Sequence, residues 1–282
     1  MGDMTELVFL KLGGSLITDK TQAYTVRPDK LDELARQIAV ALDSLPGLTL
    51  ILGHGSGSFG HTAAKEYQTR AGLQRPAALA SGTRPADEIR YWHGFAEVWF
   101  QAAQLNRFVM EALHKAQVPA LALAPVSAVS ARNGKVSAWD SGPLKAALTA
   151  GLLPVIYGDV IFDEARGGTI LSTEDLFERL ARELKPERIL LAGLEGAVWA
   201  DFPERKQRLE RITPASFEEV KTRVGASQAA DVTGGMDSKV RQMLSLVTEN
   251  PGLTAQIFSG EEPGNILKAL AGENLGTILA AA

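Results

Sequence analysis

The chain has 282 residues, 45% hydrophobic and 22% charged, the profile of an ordinary globular protein with room for one large domain or two modest ones. Its net charge of −4 excludes a general basic field for nucleic acid or an anionic membrane, so any phosphate must be met by a few placed cations and backbone amides. The lack of cysteine excludes disulfides, thiolate metal sites and cysteine nucleophiles and suits a reducing cytoplasm, and four histidines without an HExxH pattern argue against a protein-bound zinc.

The start of the chain is short and acidic, unlike a signal peptide, and no apolar run reaches the length of a membrane span. Residues 7–12 read as a first strand that ends on Gly13-Gly14, with 15–20 continuing as a loop. Pro28 opens a helix whose buried face carries Leu31, Leu34, Ala35, Ile38 and Leu42, and Pro46-Gly47 ends it. The apolar run 48–52 is a buried strand, and Gly53-His54-Gly55-Ser56-Gly57-Ser58-Phe59-Gly60-His61 crowds its exit. Strand, helix, strand in that order implies a right-handed crossover and a parallel sheet.

His61 to Tyr67 begins a helix, and 68–86 reads as a mobile segment rich in Gly, Pro and Ala. A long helix follows over about 87–117. Phe95, Val98, Ala102, Leu105, Val109 and Ala112 form its core stripe. A second apolar stripe, Trp92, Ala96, Trp99, Ala103 and Met110, fits either further burial, a subunit interface or the lining of an apolar ligand pocket. Residues 119–126 read as a strand, Asn133-Gly134 as a hairpin turn, 143–150 as a helix and 152–157 as a buried strand ending at Gly158-Asp159. A second hairpin is expected over 161–171, and Ser172 caps a helix over 173–184. The alternation then repeats: a strand at 188–191, Gly193-Leu194-Glu195-Gly196, a charged loop over 200–211 and a helix at 214–223. A small-residue loop over 225–235, a helix at 236–248, a strand at 255–258, a helix at 263–271 and a last strand at 276–279 complete it. The sum is one α/β sandwich with two lobes.

Three glycine-rich turns, two of them carrying a lysine, point to a polyphosphate. They are Lys11-Leu12-Gly13-Gly14-Ser15, the 53–61 loop, and Asp231-Val232-Thr233-Gly234-Gly235 followed by Lys239. Glycines let backbone N–H groups approach an anion, and a helix N-terminus adds its dipole. The formal G-x-G-x-x-G at 55–60 lacks the acidic residue that a dinucleotide site wants about 20 positions on. The Walker loop and the protein-kinase signatures are absent. Lys11 is either a snorkelling strand lysine or a phosphate ligand, and Lys20 either a solvated loop charge or a third cation. Together with Lys239 they would neutralise the charge that moves during phosphoryl transfer. Asp159 either caps a turn or holds lysine ammonium groups in position. His61 is either structural or hydrogen-bonds the acceptor.

Taken together these residues resemble the isopentenyl phosphate kinase family of the amino acid kinase superfamily over nearly the whole chain. The motifs are Lys11-Leu12-Gly13-Gly14-Ser15, Ile17-Thr18-Asp19-Lys20, His54 to His61, Tyr157-Gly158-Asp159-Val160, and the Thr233-Gly234-Gly235 turn with Lys239. The resemblance implies a three-layer αβα sandwich with a mainly parallel central sheet. Its lobe 1–171 binds the acceptor and its lobe 172–282 binds ATP. The implied reaction is ATP-dependent phosphorylation of isopentenyl phosphate to isopentenyl diphosphate, with Mg²⁺ held mainly by phosphates rather than by protein ligands, in a homodimer. By resemblance, Lys11 and Lys239 contact the transferring phosphates, Lys20 stabilises the transition state and Asp159 organises the lysines. Gly55, Ser56, His61 and Gly158 fall to the acceptor side, and Trp92, Ala96, Trp99 and Ala103 to its prenyl tail. Gly13, Gly14, Ser15, Gly57, Gly193, Gly196, Thr233, Gly234 and Gly235 fall to the nucleotide side. The chain departs from the family pattern at Ser56, where a glycine is frequent, and at Ala192-Gly193-Leu194-Glu195-Gly196, which stands for Thr-Asp-Val-Asp-Gly. Competing readings are a fosfomycin-type phosphonate kinase, a carboxylate kinase, whose polar acceptors would leave His61 and the apolar helix unused, and a non-catalytic nucleotide-binding protein.

Overall fold

The computed structural model describes residues 6–73, 86–224 and 235–282. The N-terminal half runs β1 (Glu6–Leu12), α1 (Gly14–Ile17), α2 (Pro28–Ser44), β2 (Leu48–His54), α3 (Gly57–Tyr67) and α4 (Ala86–Lys115). It continues through β3 (Ala120–Ala122), β4 (Val129–Arg132), β5 (Lys135–Trp139), α5 (Gly142–Thr149), β6 (Leu153–Tyr157), β7 (Asp159–Asp163) and β8 (Gly167–Leu171). The C-terminal half runs α6 (Thr173–Leu184), β9 (Arg188–Gly193), β10 (Val198–Trp199), β11 (Arg208–Leu209), β12 (Arg211–Ile212) and α7 (Pro214–Val224). It closes with α8 (Gly235–Glu249), β13 (Thr254–Ser259), α9 (Asn265–Leu270) and β14 (Thr277–Leu279).

One sheet of eight strands, ordered β12-β14-β13-β9-β1-β2-β6-β3, carries the molecule. All its pairings are parallel except β13 with β14. Side-chain alternation along β1 divides the core. Val8, Leu10 and Leu12 join the cluster under α2, α4 and α9, while Phe9 joins the cluster under α6 and α8. Helices therefore cover both faces, as the α/β sandwich requires. A smaller sheet, β5-β4-β7-β8, carries both expected hairpins, and it packs with α3 and the first half of α4 through Ala63, Ala64, Tyr91, Phe95, Val98 and Val160.

Several local expectations are revised. Gly14–Ile17 is a short helix rather than loop, and the 119–126 strand shrinks to Ala120–Ala122 before a 3₁₀ turn at Pro125–Ser127. Short strands interrupt the charged stretch 200–211. Helix α3 starts at Gly57, four residues earlier than expected, so the second half of the glycine loop is already helical. Glycine's low helix propensity hides such a start in sequence. The capping of α6 is as expected: the Ser172 hydroxyl accepts from the Asp175 N–H while the Asp175 carboxylate accepts from the Ser172 N–H.

Candidate active site

β1 lies between β2 and β9, so the connections leave it in opposite directions, and a crevice opens at the carboxyl ends of these strands. A cleft of about 770 Å³ fills that crevice. It is lined by the turn after β1, the start of α3, Gly158 after β6, the start of α6, the turn after β9 and the start of α8.

The first two glycine turns meet backbone to backbone. A Cβ on Gly14 would overlap the Gly57 backbone, and one on Gly55 would stand 2.8 Å from Gly14 N. Gly57 has φ +50, a left-handed conformation that glycine adopts without strain. Thr18 ties the two turns: its hydroxyl donates to Gly14 O at 2.8 Å and accepts from the Ser58 N–H at 3.0 Å. The start of α3, with its dipole, therefore faces the cleft beside the β1 turn.

Lys11 is placed by strand alternation. It shares the face of Phe9, toward α6, where its ammonium forms an ion pair with Glu174 in the first turn of that helix. Both are buried, and Lys239 from α8 also acts on Glu174. Burial opposes ionisation of Glu174, but the charges of Lys11 and Lys239 hold its carboxyl below the usual range. Among the described residues the cleft carries Lys11, Lys20, Lys65, Arg70, Arg205 and Lys239 against only Glu174 and Glu195. A chain of net charge −4 thus presents a locally positive cleft, suited to polyanions.

The cleft gathers Lys11, Lys20, Lys239, Gly13, Gly14, Ser15, Gly55, Ser56, Gly57, His61, Gly158, Gly193 and Gly235 from distant parts of the chain. Gly196 does not line the cleft, although its neighbours Glu195 and Ala197 do, and Thr233 and Gly234 lie outside the described residues. Two expectations are corrected. Asp159 is not the carboxylate among the lysines. It is fully buried and does not line the cleft, its Oδ1 accepts from the Val160 N–H at 2.8 Å, and among the described residues its Oδ2 has no hydrogen-bond partner. Burial raises its pKa to about 7. Strand β7 starts at Asp159 and turns the side chain inward, so Glu174 occupies the place expected of it.

The stripe Trp92, Ala96, Trp99 and Ala103 does not line the cleft either. It lies roughly a third of a turn around α4 from the buried stripe, by the helical repeat. Ala96 and Trp99 are exposed, and Trp92 packs outside the cleft against Phe95 and Phe162. The apolar wall of the cleft is instead Ala64, Val98, Ile170 and Leu171, the last two from β8. On the side of the turn after β9, Glu195 accepts from Nε and Nη2 of the Arg205 guanidinium at 2.9 and 2.7 Å, and Arg205 stacks 4.8 Å over Phe202. Trp199 completes that wall.

The amino acid kinase family matches residues 6–259. A Methanocaldococcus jannaschii isopentenyl phosphate kinase is 32% identical over 96% of this chain and 97% of its own length. The isopentenyl phosphate kinase of Haloferax volcanii is 34% identical over 97% of this chain and 98% of its own length. A solved isopentenyl phosphate kinase structure superposes with a TM-score of 0.81 at 29% identity, covering 97% of this chain and all of that one.

Proposed function

The chain belongs to the amino acid kinase family, among its isopentenyl phosphate kinases, and on that premise we propose that it phosphorylates isopentenyl phosphate with ATP, giving isopentenyl diphosphate and ADP. It is a phosphotransferase of mixed α/β fold. The observation that carries the proposal is the positive cleft in which Lys11, Glu174 and Lys239 meet two abutting glycine turns, with a short apolar wall behind them.

The acceptor is a phosphate monoester. Its second pKa is near ~6, so it is mostly a dianion at neutral pH and needs no general base. The obstacle is repulsion between two anions. The N–H groups at the start of α3 and His61 receive the acceptor phosphate, with Ser56 and Gly158 beside them. Lys11 and Lys239 take the transferring phosphoryl group, and Lys20 approaches it from the loop after α1 as charge develops. Glu174 orients Lys11 and Lys239 without being consumed. ATP occupies the side of β9 and α8, from Gly193 to Gly235, with the acceptor on the other side. Ala64, Val98, Ile170 and Leu171 enclose the short prenyl tail.

Mg²⁺ bound to the ATP phosphates would supply additional charge neutralisation beside Lys11, Lys20 and Lys239. The carboxylates that line the cleft, Glu174 and Glu195, are already paired with Lys11 and Arg205, which suits a metal held chiefly by phosphate oxygens. The exposed Ile89, Trp99 and Phe100 on α4 support a homodimer formed through that helix, and the cysteine-free sequence supports a cytoplasmic setting. The test is ADP release with ATP and Mg²⁺, offering isopentenyl phosphate, fosfomycin and acetylglutamate separately. Turnover with isopentenyl phosphate alone is expected. Turnover with one of the others in its place would reassign the acceptor.

A further inference from the structure

His54 closes β2 and is fully buried, yet nothing in the phosphoryl transfer above uses it. Its imidazole stacks on Tyr157 with centroids 5.4 Å apart and planes 15° from parallel. Nδ1 stands 3.1 Å from the carbonyl oxygen of Gly55, and Nε2 stands 3.2 Å from Oδ1 of Asn106, which is buried on α4. A carbonyl can only accept, so a hydrogen bond to Gly55 requires the proton on Nδ1. Burial and the neighbouring charge of Lys11 both disfavour the imidazolium. The ring is then neutral and Nε2 is an acceptor, so the Asn106 amide must adopt the flipped orientation, with its NH₂ rather than Oδ1 facing Nε2.

This small constraint reaches the cleft through the geometry of one peptide unit. In a planar trans peptide the C=O and the following N–H point in opposite directions. Holding the Gly55 carbonyl inward on His54 therefore turns the Ser56 N–H outward. Gly55 is held from its other side as well, since its own N–H donates to Leu12 O at 3.0 Å. Ser56 lines the cleft at the start of α3. The His54 carbonyl meanwhile accepts from the Thr173 hydroxyl at 2.6 Å and the Gly158 N–H at 3.2 Å, two more residues of the cleft wall.

We propose that His54 is a positioning residue: as the Nδ1–H tautomer, fixed by Asn106, it locks the Gly55 carbonyl and so aims the Ser56 N–H at the acceptor phosphate. The proposal deepens the isopentenyl phosphate reading and rests on it for the identity of the anion. The hydrogen bond and the tautomer stand independently of that reading.

Two measurements test it. Asparagine places an NH₂ close to where Nδ1 lies, whereas glutamine reaches to the Nε2 position. His54→Asn should therefore retain the bond to Gly55, and His54→Gln should lose it although it fills more of the site. With isopentenyl phosphate and ATP, H54Q should lose about 100-fold in kcat/KM for the acceptor, the lower end of the scale for losing one preorganised donor. KM for ATP should stay near the wild-type value, and H54N should recover most of the loss. Equal activity of H54N and H54Q, or a better H54Q, would show that the ring only fills space and would overturn the proposal. The second measurement is ¹⁵N NMR of the histidine ring nitrogens in the intact wild-type protein, with the His54 signals identified by their loss in H54N. Near neutral pH the proton should reside on Nδ1 and leave Nε2 bare. A proton on Nε2, or on both nitrogens, would overturn the assignment. Because that spectrum needs no turnover, a protein inactive on isopentenyl phosphate would fail the acceptor reading while leaving the tautomer open to the same test.

Discussion

Replacing Glu174 by glutamine should damage stability and catalysis together, and ATP should repair part of the first. Lys11 is only 8% exposed and Glu174 4%, so the pair is a buried one. Removing one partner of a buried ion pair costs about 3–5 kcal/mol, chiefly because the other charge is stranded. Here Lys239 adds a second positive charge near the stranded Lys11. For a chain of this length about 3 kcal/mol corresponds to roughly 5 °C in the thermal midpoint. Phosphate oxygens of bound nucleotide can replace the lost carboxylate as a counter-charge. ATP should therefore raise the midpoint of E174Q by more than it raises that of the wild type, while kcat falls by about 10²-fold or more as the lysines lose their fixed geometry. The assays are thermal unfolding with and without ATP, and ADP release. An E174Q protein with wild-type kcat and midpoint would refute the reasoning. The pH dependence has a definite sign. The folded carboxyl sits below its ordinary 4.5, so its contribution is complete above that value and disappears as the pH falls through the lower folded one.

Asp159→Asn should spare ADP release to within a few-fold, because its carboxylate touches none of the lysines of the cleft. Its raised pKa makes the folded state bind more protons than the unfolded one between 3.8 and about 7, so wild-type stability falls with rising pH across that window. D159N should remove that component, seen as a smaller drop in thermal midpoint between the two ends of the window; an unchanged pH slope or a collapse of turnover would contradict this. Val98→Ala should widen the apolar wall and admit longer prenyl phosphates at a stability cost of about 1–2 kcal/mol, whereas enlarging Ala96 or Ala103, which lie outside the cleft, should leave acceptor-length preference unchanged. The reverse pattern in acceptor kinetics would restore the outer stripe as the tail site. Gly57→Ala meets both a positive φ and the Thr18 and Gly14 atoms, so phosphate binding should fail even in protein that remains folded by circular dichroism. Wild-type KM values in G57A would count against the packed-turn geometry. For the homodimer proposed through α4, Trp99→Lys should shift sedimentation from dimer toward monomer, and an unaltered sedimentation coefficient would contradict that interface.

Much of the fold was legible because its signals are local and redundant. Pro28, the buried strands 48–52 and 152–157, the Asn133-Gly134 turn and the Ser172 cap each specify their element by short-range chemistry. The convergence of Lys11, Gly14 and Gly57 was legible from residue type, since lysines beside glycine turns have few uses in a strand-to-helix connection. Glu174 was not. An acid in the first turn of a helix is ordinary dipole complementation, and only the register of β1 against α6 shows that it faces Lys11. Asp159 misled for the converse reason: a carboxylate after Gly158 looks functional until the β7 pleat turns it inward. The second stripe of α4 was equally ambiguous, because an apolar helix face carries no mark of whether a ligand, a subunit or solvent lies opposite. His54 was invisible as a positioning residue because its role depends on which way a single peptide unit points.

A phosphate oxygen is the acceptor in this reaction, and ³¹P NMR of the reaction mixture tests that most directly. With isopentenyl phosphate, ATP and Mg²⁺, the monoester singlet should give way to a pair of coupled diphosphate doublets as ADP accumulates. A monoester signal that persists while ADP and inorganic phosphate build up would mean that water, not the bound phosphate, receives the phosphoryl group, and the account would be wrong.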